Sequence, residues 1–177
     1  MWHRHSAHIT TICANSAIDA SGVSEILPEV NSRLLLDELQ AREQRKEEAT
    51  YANFNSFVKR EGLDFLKAPQ STNNVSVSWE TVDFQLQKVV ARRGGAFDLI
   101  VIGQPANKSD GVNLVIKGVI EVALFSTGRP VLIVPQQVTQ TLGETVLIGW
   151  NRSAQSARAF HAAKTLLLQR AKKVRIL

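Results

Sequence analysis

The chain has 177 residues, 44% of them hydrophobic and 21% charged, and its formal net charge at pH 7 is +5. This hydrophobic content excludes a wholly disordered chain, and no run of eighteen apolar residues exists to predict a membrane-spanning helix or a membrane partner. One cysteine permits no internal disulfide, and the segment after Met1 lacks the apolar core of a signal peptide, so we expect a cytoplasmic protein.

The excess of basic residues is interpreted as a solvated surface. A nucleic-acid site needs Lys and Arg grouped on one face, ideally with aromatic residues for stacking. Here the basic residues are scattered, and acidic residues interleave with them over 38–48. We therefore expect no nucleic-acid partner.

The first half of the chain alternates strand and helix patterns. Residues 8–14 are typical of a strand, and Pro28 and Gly62 bound a long segment without Gly or Pro that predicts one helix. A loop is predicted at 63–74, and a strand at 75–79, whose more polar face favours a sheet edge. A helix is predicted at 81–92, ended by Gly94-Gly95.

Residues 97–135 hold the most regular pattern. Two apolar runs, 99–102 and 131–134, are bounded by Gly and Pro, and the first suits a strand covered on both faces. Between them Ser109-Asp110 offers an N-cap to a helix whose apolar residues recur every three or four positions up to Gly128. Strand, helix and strand in so short a span predict a right-handed βαβ unit with parallel strands.

The C-terminal segment repeats this pattern after a polar linker at 136–144. Residues 146–150 predict a buried strand, Ser153 an N-cap, 154–171 a helix, and 174–177 a further strand. The whole order of elements predicts an α/β fold with a parallel sheet.

No catalytic constellation is evident. The two common nucleotide fingerprints are absent, as are GxSxG, HExxH and CxxC motifs, so we expect neither an enzyme nor a metal site.

Open α/β sheets bind ligands beyond the carboxyl ends of their strands. Gly103 and Gln104 follow one predicted strand, and Asn151 and Ser153 follow another. These four residues are the candidates for a degenerate nucleotide site.

The residues around these turns resemble a known family. DLIVIGQP at 98–105, ALFSTGRP at 123–130 and VLIVP at 131–135 resemble the last third of a universal stress protein (UspA) domain. GWNRSAQSARAFHAAKTLL at 149–167 resembles the first strand and helix of such a domain, as in bacterial members with two domains per chain. The resemblance implies a Rossmann-like (adenine nucleotide alpha hydrolase-like) parallel sheet of about five strands in the order 3-2-1-4-5.

The ATP-binding pattern of the family is matched only in part. Many members bind ATP through an Asp after strand one and a Gly-x2-Gly-x9-Gly-Ser/Thr loop. Gly103 matches the first glycine, whereas Ala106, Ile116, Lys117 and Asn151 stand at the other key positions. We therefore expect no ATP cofactor, and a non-enzymatic role in stress response through protein association. The alternative is a nucleotide-binding sensor or weak ATP hydrolase of the same fold.

The resemblance also implies a domain organisation. Residues 1–135 correspond to a universal stress domain that lacks its first strand and helix, and 145–177 to the first strand and helix of a second domain, after the linker at 136–144. We expect the strand at 146–150 to fill the vacant central position of the first sheet. Val131–Val134 then forms an apolar edge through which we expect a homodimer.

Overall fold

Seven strands and four helices make up the part of the chain that the computed structural model describes, which is residues 7–14, 29–70, 74–82, 85–105, 111–137 and 143–177. The helices are α1 (Glu29–Glu61), α2 (Leu86–Arg93), α3 (Gly111–Ser126) and α4 (Ala154–Leu166). The strands are β1 (His8–Ala14), β2 (Asp64–Phe65), β3 (Ser76–Val82), β4 (Ile100–Gly103), β5 (Val131–Val134), β6 (Thr145–Ile148) and β7 (Lys173–Ile176). Every strand pair is parallel, which confirms a mixed α/β protein.

The chain divides into an N-terminal unit, Met1–Gln85, and a C-terminal unit, Leu86–Leu177. None of the described helices is both long and apolar enough to cross a membrane.

Strand β3 lies at the centre of the N-terminal sheet, between β1 and β2. It pairs with β1 over seven positions, from His8 opposite Ser76 to Ala14 opposite Val82. On its other side the two residues of β2 pair with the start of β3. The predicted edge strand at 75–79 is therefore a central strand, because part of the predicted loop at 63–74 forms β2 and covers its second edge.

Helix α1 ends in a Schellman motif. The amide of Gly62 donates to the carbonyl of Lys59 at 3.3 Å, and the amide of Leu63 donates to the carbonyl of Val58 at 3.0 Å. Gly62 has a φ of 62°, a conformation that a residue with a Cβ atom adopts only with strain. Gly62 is thus confirmed as the stop of this helix. Pro28, predicted in its first turn, lies outside the described residues.

Aromatic rings join α1 to the N-terminal sheet. The aromatic cluster consists of Tyr51 and Phe54 on α1, Phe65 on β2 and Trp79 on β3. The ring centroid of Trp79 lies 5.4 Å from that of Tyr51 and 5.1 Å from that of Phe54. Phe54 also contacts Phe65 at 6.1 Å. These tilted and edge-on contacts place four of the described aromatic rings of this unit at one helix–sheet interface.

The boundary between β3 and α2 lies later than predicted. Thr81 and Val82, expected in the first turn of a helix at 81–92, belong to β3 and pair with Cys13 and Ala14 of β1. Both are β-branched, which favours a strand when a partner is present. Helix α2 begins at Leu86 and ends at Arg93, just before Gly94-Gly95 as predicted.

In the C-terminal unit β4, α3 and β5 form the predicted βαβ unit. Strands β4 and β5 pair in parallel, with Ile100 opposite Val131. Helix α3 packs against α2, and Val89, Val119 and Ala123 are buried. The N-cap predicted at Ser109-Asp110 lies outside the described residues.

Strands β6 and β7 form a second βαβ unit with α4. They pair in parallel, with Thr145 opposite Lys173. Helix α4 begins after Ser153 as predicted but ends at Leu166, and a 3-10 turn follows at Leu168–Arg170. The predicted helix at 154–171 is therefore shorter and is closed by this tighter turn.

The described strands form three small sheets, β1-β3-β2, β4-β5 and β6-β7. The strand predicted at 146–150 to fill the centre of a five-stranded sheet pairs instead with β7, the strand that follows it across α4. A crossover of one short helix closes this pair locally, at less cost in chain entropy than insertion between distant strands. Strand β4 is also not covered on both faces as expected, since Val101 is 58% exposed.

Candidate functional site

Gly103 and Gln104 lie at the carboxyl end of β4. Gly103 is paired with Val134 of β5, and the amide of Gln104 donates to the carbonyl of Val134 at 2.7 Å. Both residues are exposed. No heavy atom of the described residues lies within 4 Å of a Cβ atom built at Gly103. The described residues therefore leave space for a side chain at this position. Ala106 lies outside the described residues.

Asn151 and Ser153 form the turn between β6 and α4. The Asn151 Oδ1 atom accepts hydrogen bonds from the Ser153 amide at 3.1 Å and from the Ser153 hydroxyl at 2.6 Å. The Ser153 Oγ atom in turn accepts from the amide of Ser156 at 3.1 Å, which confirms Ser153 as the N-cap of α4. The polar atoms of this turn are thus largely used to start the helix, and a ligand would have to compete with them.

The four candidate residues belong to two different sheets. Gly103 and Gln104 end a strand of the β4-β5 pair, whereas Asn151 and Ser153 follow a strand of the β6-β7 pair. Carboxyl ends converge on one ligand when their strands share a sheet. The structure does not bring the two pairs of residues to one sheet edge, and a nucleotide site built from all four stays a prediction.

A buried polar cluster in the N-terminal sheet escaped the sequence analysis. The two ring nitrogens of His8 lie 2.9 Å from the hydroxyls of Ser76 and Ser78, and Ser78 also donates to Thr10 at 3.4 Å. The serines are only 1% and 6% exposed, so a substrate could not reach either hydroxyl. The cluster therefore joins β1 to β3 rather than forming a nucleophile. The alternating Ser-x-Ser and His-x-Thr patterns could have indicated it, but only with the strand register known.

Cys13 faces helix α1 and is not activated. Burial and the neighbouring carboxylates of Glu47 and Glu43 raise the pKa of the Cys13 thiol above its usual value, and Lys46 offsets part of this effect. Since the thiolate is the reactive form, the thiol stays neutral and unreactive near pH 7. Among the described residues there is also no group of three potential metal ligands.

The C-terminal unit carries exposed aliphatic residues on its strands. Strand β5 has β4 as its only partner in the described sheets, and Ile133 is 41% exposed. On the other pair Leu147 is 60% exposed, and Ile176 is exposed as well. Sheets of two strands with open edges and uncovered apolar side chains are marginal alone and typical of surfaces that associate.

Comparison with known proteins gives no match to this chain, whether with family models, with curated proteins or with solved structures.

Proposed function

We propose that the chain is a universal stress-type protein that acts in stress response without catalysis, through association with protein partners. The first partner is a second copy of the chain, joined through β5. The nucleotide-binding alternative has less support, because two of its four candidate residues are engaged in capping α4.

The open edge of β5 is the observation that carries this proposal. The strand consists of four aliphatic residues with no charge, and Ile133 is exposed. Backbone N–H and C=O groups of an unprotected apolar edge pair readily with another strand. An antiparallel pairing of β5 with the same strand of a second copy, across a two-fold axis, would satisfy both edges at once and close the assembly.

The pairing of strands also supports the proposed Rossmann-like order 3-2-1-4-5. In that order strands two and three are neighbours, as are strands four and five. The pair β1–β3 corresponds to strands two and three of this order, and the pair β4–β5 to strands four and five. The first strand of the proposed order has no counterpart in the two described sheets that hold these pairs, since β6 pairs with β7, and β2 is an addition beside strand three.

Replacement of Ile133 by lysine is expected to convert the dimer to a monomer. In the proposed pairing the ammonium group would lie next to the two-fold axis and close to its symmetry mate, so that two like charges would be brought together. Sedimentation velocity at tens of micromolar protein would measure this, with dimer expected for the native chain and a dissociation constant raised about 100-fold or more in the variant.

Leu147→Lys provides the matched control, since it places the same charge on an exposed aliphatic position of β6. It is expected to leave the dimer intact. A native chain that sediments as a monomer, or equal effects of the two lysines, would contradict association through β5.

ATP is expected not to bind with useful affinity. Backbone amides approach phosphates closely where glycines permit it, and Ala106 and Ile116 stand where the family's ATP loop has glycine. Isothermal titration calorimetry of the native chain with Mg-ATP should give no saturable heat. A micromolar dissociation constant would instead favour the nucleotide sensor, and Gly103→Val would then test whether the carboxyl end of β4 holds the phosphates.

A further inference from the structure

The positive charge of the chain is concentrated in its last segment. Residues 143–177 contain seven Lys or Arg and a single acidic residue, Glu144, for a net charge of +6. The whole chain has a net charge of +5, so residues 1–142 together carry −1. Basic and acidic residues interleave in α1, whereas the β6-α4-β7 segment is almost wholly basic in its charged residues.

Two of these basic residues lie on the uncovered face of the β6-β7 sheet. Lys173 and Arg175 are paired with Thr145 and Leu147, and residues paired across parallel strands share a face. On β6, Leu147 of that face is 60% exposed, whereas Ile148 of the opposite face is 9% exposed; on β7, Ile176, the partner of Ile148, is 67% exposed. Strand β6 is therefore more buried on its Ile148 face, and Lys173 and Arg175 lie on the other face of the sheet.

Other basic side chains lie on α4. Arg158 and Lys164 are exposed residues of this helix. The crossover helix of a βαβ unit packs on one face of its strands, and the buried Ile148 places α4 on the face opposite Lys173 and Arg175, so the segment presents basic groups on two sides. Lys172 is paired with Glu144 at 2.7 Å, so most of the positive charge is not neutralised by an acidic residue of the same segment.

An aromatic ring stands beside these charges. Trp150, after β6, is 44% exposed and contacts Phe160 of α4 edge-on at 6.4 Å. Its backbone amide donates to the carbonyl of Leu177 at 2.9 Å, which holds it at the carboxyl end of the sheet. The exposed Arg152 follows two residues later. The partly exposed indole of Trp150 is therefore available for stacking, and the guanidinium of Arg152 lies close to it in the chain.

We propose that the β6-α4-β7 segment binds single-stranded nucleic acid, through phosphate contacts to Lys and Arg on both its sides and through stacking of a base on Trp150. A planar membrane could contact only one of the two basic sides, whereas a flexible strand can follow both. The exposed tryptophan adds the sequence-independent stacking that single strands offer. This activity goes beyond the proposed role in protein association and does not rest on it.

Fluorescence anisotropy of the full chain with a labelled oligothymidylate of about 20 nucleotides tests the proposal. We expect saturable binding that weakens between about 50 and about 200 mM salt, with a slope of about −0.7 in log K per phosphate contact. The same oligonucleotide in duplex form should bind several-fold more weakly, because its bases cannot stack on Trp150.

Charge reversal separates this segment from the rest of the chain. Lys173→Glu combined with Arg175→Glu should weaken binding about tenfold and reduce the salt slope by about 1.4. Lys59→Glu combined with Lys67→Glu makes the same change of charge in the N-terminal unit and should have little effect.

Trp150→Ala should weaken binding about tenfold, and Trp150→Phe should restore most of it. Far-UV circular dichroism of each variant establishes that it is folded.

Three outcomes would overturn the proposal. One is the absence of binding to the oligonucleotide by a folded native chain at low salt. Another is an equal loss of binding in the two charge-reversed variants, which would mean that net charge alone is responsible. The third is binding to vesicles of phosphatidylserine and phosphatidylcholine without binding to the oligonucleotide, which would assign the basic segment to a membrane surface.

Discussion

Trp79→Ala is expected to lower the free energy of unfolding by about 3 kcal/mol, at the low end of the range for large aromatic residues because the ring is half-buried. The substitution removes the centre of the aromatic cluster, where the indole contacts both Tyr51 and Phe54 of α1. It also removes the indole N–H that donates to Thr81 at 3.1 Å, in a chain of hydrogen bonds that continues from Thr81 to Glu47 at 2.7 Å. Urea unfolding followed by circular dichroism at 222 nm would measure the change.

Trp150→Ala is the matched control for this experiment. It removes the same side chain from a more exposed position with one ring contact, to Phe160. We expect it to cost about 1 kcal/mol or less. If the two variants lost equal stability, the aromatic cluster would not be the main interface of α1 with its sheet.

Gly94→Ala is expected to lower the free energy of unfolding by about 2 kcal/mol, through overpacking. A Cβ atom at Gly94 would lie 2.5 Å from Cγ2 of Thr127 and 3.2 Å from Cδ1 of Ile100. Thr127 cannot easily move aside, because its side chain is short and its hydroxyl donates to the carbonyl of Ala123 at 2.6 Å. The turn after α2 would therefore have to shift away from the end of α3, and thermal unfolding by calorimetry would register the loss.

Gly103→Ala makes the same chemical change where the backbone is open. With no described heavy atom near its Cβ position and no positive φ, it should alter stability by less than about 0.5 kcal/mol. Equal destabilisation by both alanines would mean that the contact with Thr127 does not explain the effect at Gly94.

Local sequence patterns predicted the local parts of this fold. Gly62 as a helix stop, Ser153 as an N-cap and the two C-terminal βαβ units each depend on residues close together in the chain, so their spacing indicates them directly. The central place of β3 could not be predicted in this way. It depends on β2, a strand of two residues whose pairing is specified by backbone groups and not by any apolar pattern.

The candidate site shows the same difference between short-range signals, which the sequence carries, and long-range ones, which it does not. The turn at Asn151 and Ser153 has a short-range signal, because Asn and Ser favour this position before a helix. Whether that turn meets Gly103 and Gln104 depends on the order of strands in the sheet, which is a long-range property. The basic segment also escaped the sequence analysis, because overall composition averages its charge with the acidic residues of α1.

The pairing of β1 with β3 has a consequence for how the chain folds. His8 and Ser76 are 68 residues apart in sequence, whereas Ile100 and Val131 of the β4-β5 pair are separated by 31. Closure of the longer loop costs more entropy, and contacts of high sequence separation form slowly. During synthesis β1 is made first but must wait for β3, and α1, at about 1.5 Å per residue, shortens the distance to be closed as it forms. When the complete chain refolds from the unfolded state, the C-terminal pairs are therefore expected to close faster than the N-terminal sheet.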